Sequence, residues 1–218
     1  MKLTHANKDA IKYACLHFHY AKRLPASSIA YNVYNDNNEW CGVIIYGRGA
    51  NPNAGVKYKL CNGEYMELVR VALNGKQECT SKAVAISLRL LKKENPILKL
   101  VISYADIDQN HYGTIYQATN WVYCGESKTG GIRAYLINGK EVHTKTAKDK
   151  VYKYFKEFSI ENLKKVYNTN NISEVATKGK RLYLMPLNKE MAKEIEKYRK
   201  PYPKKNEDLG VAELKKKK

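Results

Sequence analysis

The sequence predicts an α+β fold. Three observations carry this. Short β-branched or aromatic runs are bounded by turn residues, asparagine-rich turns join such runs into hairpins, and the segments between them repeat apolar residues at helical spacing. The stretch from Leu98 to Ser127 organises the rest. It opens on the apolar run Leu98 to Tyr104, a strand set between Pro96 and Asp106. A polar turn covers 105–111, and 113–119 forms a short helix with Ile115, Ala118 and Thr119 on one side. Trp121 to Gly125 is a second strand. This order sets Asp106 and His111 at the exposed end of a sheet, with Tyr112 and Tyr116 four apart on one helix face. Loops at strand ends on a rigid scaffold are where chemistry is usually placed.

Ahead of that stretch, residues 7–20 form a helix with Asn7 as N-cap, Asp9 in the first turn and a buried stripe of Ile11, Ala14, Cys15 and Phe18. His19 at the end of this helix is expected to be favoured as the cation by the helix dipole. Ser28 to Tyr34 and Trp40 to Tyr46 make a hairpin across Asn35-Asp36-Asn37-Asn38. The loop 47–55 is rich in glycine and asparagine but has neither a GxGxxG pattern nor a Walker lysine. Glu64 to Leu73 is a strand expected to point Leu68, Arg70 and Ala72 one way and Glu67, Val69, Val71 and Leu73 the other. A charge in an apolar strand needs a partner, so Arg70 is either half of an ion pair or a ligand contact. A helix begins near Ser81, capped by Ser81 or Thr80, with Lys82 in its first turn. Its N-terminus is a ready anion site.

After the central stretch, 132–138 and 142–146 form a hairpin turning at Asn138-Gly139. Residues 148–168 read as one basic helix, 168–173 as a polar connector, 180–185 as a strand and 188–200 as a last helix capped by Asn188. The chain of 218 residues suffices for one sizeable core and a small lobe. Its formal charge of +18 points to a polyanion, nucleic acid above all. No run approaches 18 apolar residues, which argues against a membrane span. The first residues lack a secretory signal, which with five scattered cysteines and no CxxC pair indicates a reducing cytoplasm.

The element order resembles the core of the GNAT-type N-acetyltransferases, a mixed, mostly antiparallel twisted sheet flanked by helices. A closer resemblance, over most of residues 10 to 204, is to the bacteriophage Mom family. It is carried by His19-Tyr20-Ala21-Lys22-Arg23-Leu24-Pro25, by Glu67-Leu68-Val69-Arg70 with Ser81, and by Ser103-Tyr104-Ala105-Asp106 running on to His111-Tyr112-Gly113-Thr114-Ile115-Tyr116-Gln117-Ala118-Thr119-Asn120-Trp121. Lys180-Arg181-Leu182-Tyr183 and Pro201-Tyr202-Pro203-Lys204 add to it. The resemblance implies a GNAT-like catalytic core over 1–130, a C-terminal extension over 131–204 that completes the sheet and contacts DNA, and a disordered basic tail over 205–218. It implies a phage or prophage enzyme of the host cytoplasm that adds a methylcarbamoyl group to N6 of adenine in DNA and so resists restriction.

By that resemblance His19, Tyr20, Asp106 and Tyr116 are catalytic, while Arg70, Ser81 and Lys82 lie at the cofactor site. Acetyl coenzyme A is the implied cofactor. Iron is a second implied requirement, for which His19 and Tyr20 are the candidate ligands. A duplex base must be extruded to be reached. Tyr20, Tyr104, Tyr112 and Trp121 are candidate platforms for it, with Lys145, Lys148, Lys150, Lys164 and Lys165 on the phosphates. Two other readings stay open: an acetyltransferase acting on a protein or small-molecule amine, and a non-catalytic DNA binder. The target motif, the identity and role of any metal, the source of the extra nitrogen in the product, the choice of base between His19 and Asp106, and the oligomeric state, a dimer included, are not fixed by the residues.

Overall fold

A computed structural model describes residues 1–26, 28–51, 53–127 and 131–204. The tail expected over 205–218 lies outside the described residues. Two compact units are defined by the backbone contacts. Among the described residues, the first takes those within 1–105, 111–125 and 181–204, and the second those within 106–110 and 126–180.

The first unit is built on a seven-stranded sheet. Its strands are β1 (Lys2–His5), β2 (Ile29–Tyr34), β3 (Trp40–Gly47), β4 (Tyr65–Leu73), β5 (Leu100–Asp106), β6 (Val122–Glu126) and β10 (Lys180–Pro186), in the order β1-β2-β3-β4-β5-β10-β6. β1 to β4 pair antiparallel in sequence, and β4 pairs parallel with β5. This is the mixed, mostly antiparallel sheet flanked by helices that the sequence predicts. Alternation along the strands sends side chains to two cores. Tyr31, Ile44, Tyr46, Val101 and Tyr183 pack with Ala83, Val84, Leu88 and Leu91 of α2 (Thr80–Glu94) on one face. Ala30, Val43, Ile45 and Ala72 pack with Ala14 and Cys15 of α1 (Lys8–His17) on the other. Leu100, Ile102, Val122 and Leu184 take Met191 and Ile195 of α6 (Lys189–Glu196).

Local chemistry explains most element ends. Asn7 Oδ1 accepts from Ala10 N–H at 2.9 Å and starts α1. Asn188 Oδ1 accepts from Met191 N–H at 2.8 Å and starts α6. The β2–β3 turn is held by Asn35 Oδ1, which accepts from the N–H groups of Asn37 and Glu39. α2 differs from expectation. It begins at Thr80, and its N-cap is Cys79, without a side-chain capping bond, in place of Ser81 or Thr80.

The second unit holds a three-stranded sheet, β8 (Lys140–His143), β7 (Ile132–Ile137) and β9 (Ile172–Ala176), in that order. The β7–β8 turn falls at Asn138-Gly139, where both residues have positive φ, 50° and 77°. The helix expected over 148–168 is two helices, α4 (Thr144–Tyr152) and α5 (Ile160–Tyr167). Ser159 ends the run by capping α5, its Oγ accepting from Asn162 N–H at 3.0 Å. Part of the expected polar connector is β9, paired to β7. Tyr135, Ile137, Ala147, Val151 and Leu163 form this unit's core.

Candidate active site

The site starts where two parallel strands part. β4 and β5 pair only from Tyr65↔Leu100 to Glu67↔Ile102, although β4 continues to Leu73 and β5 to Asp106. Beyond Glu67 the β5-side edge of β4 has no strand pairing among the described residues. The pairing of β3 with β4 also slips here, from Ile45↔Arg70 to Tyr46↔Leu68. Val69 is thereby left out of register, and the alternation expected for this strand fails. Leu68 and Val71 pack toward α2, while Val69 and Ala72 pack toward α1. Bulges of this kind re-aim side chains beside active sites.

Ser103 sits in the opening. Its Oγ lies 3.0 Å from the Leu68 carbonyl and 2.8 Å from the Tyr116 oxygen. A carbonyl can only accept, so the single serine hydrogen bridges to Leu68, and the serine oxygen is left to accept from the phenol. Tyr116 is carried by α3 (Thr114–Gln117), is 8% exposed and packs against Trp121 and Tyr183. Burial pushes its phenol up to about 12, and the neighbouring Tyr20, Glu67 and Tyr183 push the same way against the Ser103 bond. Tyr116 is therefore a protonated donor across the neutral range.

His19 and Tyr20 lie past the end of α1, which stops at His17 with Phe18 as its C-cap. The expected imidazolium is not found. Burial is the main cause that drops the His19 pKa to about 4, and the charges of Arg70 and His111 add to it. Its Nδ1 accepts the Ala21 N–H at 3.1 Å. A backbone N–H can only donate, so the remaining proton of neutral His19 is on Nε2. Tyr20 stacks on His19 at 4.3 Å and meets His111 edge-on at 5.6 Å. Its ring is 49% exposed.

The pH dependence follows from this. Unfolded His19 takes a proton below about pH 6.5, whereas folded His19 does so only below about 4. Between those values the unfolded chain binds more protons, so stability falls as pH drops through that window. His19→Gln keeps a neutral polar side chain and removes the titration. The expected result is that the melting midpoint falls between pH 7 and pH 4.5 by roughly a few degrees less in the variant than in the wild type. An equal fall in both proteins would assign the effect to another group.

Arg70 is half-buried. Its Nη1 donates to the Val69 carbonyl at 2.6 Å, and its buried Nε has no partner among the described residues. No carboxylate ion pair is found for it among the described residues. Ser81 Oγ lies 3.0 Å from Cys79 Sγ, and the Ser81 bond is the main cause that holds the Cys79 thiol below its ordinary range. Lys82 is exposed. The first turn of α2 carries no acidic residue.

Asp106 ends β5 and belongs to the second unit. There it caps a short 3-10 turn, its Oδ1 accepting from Asp108 N–H at 3.0 Å. Tyr112 precedes α3, so it does not share a helix face with Tyr116; the Arg181 guanidinium covers its ring at 4.6 Å. Trp121 is 0% exposed and cannot serve as a platform, while Tyr104 is half-buried. Among the described residues no three His, Cys, Asp or Glu side chains are grouped to hold a metal. The implied iron is not supported by any such group.

Two residues of this neighbourhood were not among the predicted site residues. His111 touches Tyr20 and helps keep His19 neutral. Glu67, the last residue of β4 paired to β5, raises the pKa of both Tyr104 and Tyr116 and so helps keep them protonated. Gly49 (φ +72°) lies so close that a Cβ there would stand 1.8 Å from Glu67 Oε2. The glycine-rich loop noted in the sequence thus lies over a carboxylate. A hollow of about 630 Å³ beside Tyr13, Phe18, Tyr34 and Trp40 includes none of these groups.

Tyr116, bonded to Ser103, and Glu67, where the β4–β5 pairing stops, thus lie at the parted strands of the first unit. The family model of the Mom protein family matches residues 1–204, and the chain belongs to that family. The methylcarbamoylase Mom of Escherichia phage Mu is 28% identical over 129 residues, 57% of this chain and 52% of that protein. The chain thus matches about half the length of this curated relative. A spermidine N-acetyltransferase SpeG variant from Vibrio cholerae is similar in structure at 7% identity, TM-score 0.45, over 90% of this chain and 99% of that one. SpeG from the same organism in complex with manganese ions gives 9%, 0.42, 88% and 95%. At these scores the likenesses carry no functional argument. No helix among the described residues is long and apolar enough to cross a membrane.

Proposed function

We propose that this protein is a phage or prophage DNA-modifying transferase. It works in the host cytoplasm and places an acyl-derived, methylcarbamoyl group on the N6 amine of adenine in DNA. The outcome is DNA that resists restriction. The observation that carries this reading is membership of the Mom family over residues 1–204, a family with a phage Mu methylcarbamoylase among its members. The charge of +18 supports a polyanionic substrate.

Each side chain then has a task. The amine of adenine is a weak nucleophile, because its lone pair is delocalised into the ring. A carboxylate that accepts its hydrogen bond and then its proton strengthens it. Asp106 is one such carboxylate and Glu67 another. The Nε2–H of neutral His19 is a donor for developing negative charge, as an imidazole acts without being protonated. Tyr116 supplies a proton to the departing group from a phenol that burial keeps protonated. The exposed Tyr20 ring offers a face on which an extruded base stacks.

Acetyl coenzyme A fits this reading on three features of the first unit. These are the open edge of β4 beyond Glu67, the buried Arg70 Nε without a partner, and an α2 N-terminus with neither a side-chain cap nor an acid. Arg70, Ser81 and Lys82 are the residues that would hold it. When bound it would supply an activated acetyl thioester, and the nitrogen by which a methylcarbamoyl group exceeds an acetyl group would have to come from a second, nitrogen-donating co-reactant.

The test is a nucleoside mass spectrum of DNA from cells expressing the protein. A mass-shifted deoxyadenosine is expected. Unmodified deoxyadenosine throughout, with folded protein present, would contradict the reading.

A further inference from the structure

On the reading that DNA is the substrate, we propose that the corner between α4 and α5 binds an unpaired strand, with Tyr152 and Tyr154 stacking on its bases. Tyr152 is 54% exposed and Tyr154 72% exposed. Neither phenol has a hydrogen-bond partner among the described residues. Two large rings exposed on one short segment form an aromatic surface of the kind that marks an interaction site. The corner itself is anchored. The Val151 carbonyl accepts from the N–H groups of Tyr154 at 3.0 Å and Phe155 at 2.9 Å, while Phe155 and Phe158 pack on the second unit's core. The two tyrosines are therefore presented on a fixed turn.

The charge around them selects the partner. Residues 145–156 carry five lysines against Asp149 alone, and Glu157 follows. Lys148 lies over the Phe158 ring at 5.5 Å and Lys150 over the Tyr167 ring at 3.8 Å. These contacts hold two ammonium groups of α4 on aromatic rings, while Lys153 and Lys156 stand exposed on the turn that follows. Fixed cations beside uncommitted rings match a polyanion whose units are flat, which is a nucleic acid strand with its bases out. An acidic protein would satisfy the lysines and leave the rings bare.

The experiment is fluorescence anisotropy of a labelled single-stranded oligonucleotide with the full chain over a range of salt. The double variant Tyr152→Ala/Tyr154→Ala is expected to weaken binding by about tenfold or more with an unchanged salt slope. Tyr152→Phe/Tyr154→Phe keeps the rings and should bind as the wild type does. Lys153→Ala/Lys156→Ala should reduce the salt slope by about 1.4, at about 0.7 for each phosphate contact on a single strand. Wild-type affinity in the alanine pair would overturn the inference. So would a loss that the phenylalanine pair shares, or an equal loss of binding to polyglutamate. The nucleoside mass spectrum separates this from the proposed activity. Modified DNA with no tyrosine effect removes the surface alone, whereas a tyrosine effect with unmodified DNA removes the activity alone.

Discussion

Tyr116→Phe is expected to reduce formation of modified deoxyadenosine by about 10²- to 10⁴-fold, the usual contribution of a positioned general acid. Binding of DNA should be kept. The substitution removes one oxygen from a side chain that is 8% exposed and leaves its contacts with Trp121 and Tyr183 in place. Ser103 Oγ loses the proton it accepts but still donates to the Leu68 carbonyl. The cost in stability is that of one buried hydrogen bond, about 1–2 kcal/mol. The check is product per unit time by mass spectrometry, beside a thermal melt. Activity within a factor of about three of wild type would remove the phenol from the chemistry.

Gly113→Ala is expected to cost about 2–5 kcal/mol, the sum of a left-handed residue and an overpacked ring. Gly113 has φ +77° at the start of α3, and a Cβ there would lie 2.3 Å from the Tyr183 ring. Tyr183 is 0% exposed and cannot yield, because it is packed against Tyr116 and Tyr123 and donates to the Tyr112 carbonyl at 2.5 Å. The variant should melt roughly 5–15 °C lower, at 2–4 °C per kcal/mol for a chain of this size. A melting point within a degree or two of wild type would mean that Gly113 is not held as described.

Much of this molecule was legible in its residues. Asparagine caps at Asn7 and Asn188 and turns at Asn35 and Asn138-Gly139 act through a few neighbouring atoms, so spacing alone reveals them. What escaped depends on partners distant in the chain. β1 is a four-residue edge strand that exists because β2 lies beside it, and β9 is a strand because of β7. The slipped register at Val69 is set by β3, so the faces of β4 cannot be read from β4. His19 looked like a helix-terminal cation. The helix ends two residues earlier, and Arg70 and His111, brought from elsewhere in the chain, oppose its charge. Glu67 gave no signal as one acid in a strand; only the parting of β4 from β5 and the approach of Gly49 single it out. His111, though it stood in the same sequence motif as Tyr116, was not singled out, because only the approach of Tyr20 brings it into this neighbourhood.

The most direct measurement is transfer of label from acetyl-labelled coenzyme A to oligonucleotides by the purified full chain. One oligonucleotide contains adenine, and the other carries purine, which lacks the exocyclic amine, at every adenine position. Label entering the adenine strand only, and lost with Tyr116→Phe, is the predicted result. Equal label in the purine strand, or label in protein amines with none in DNA, would contradict it.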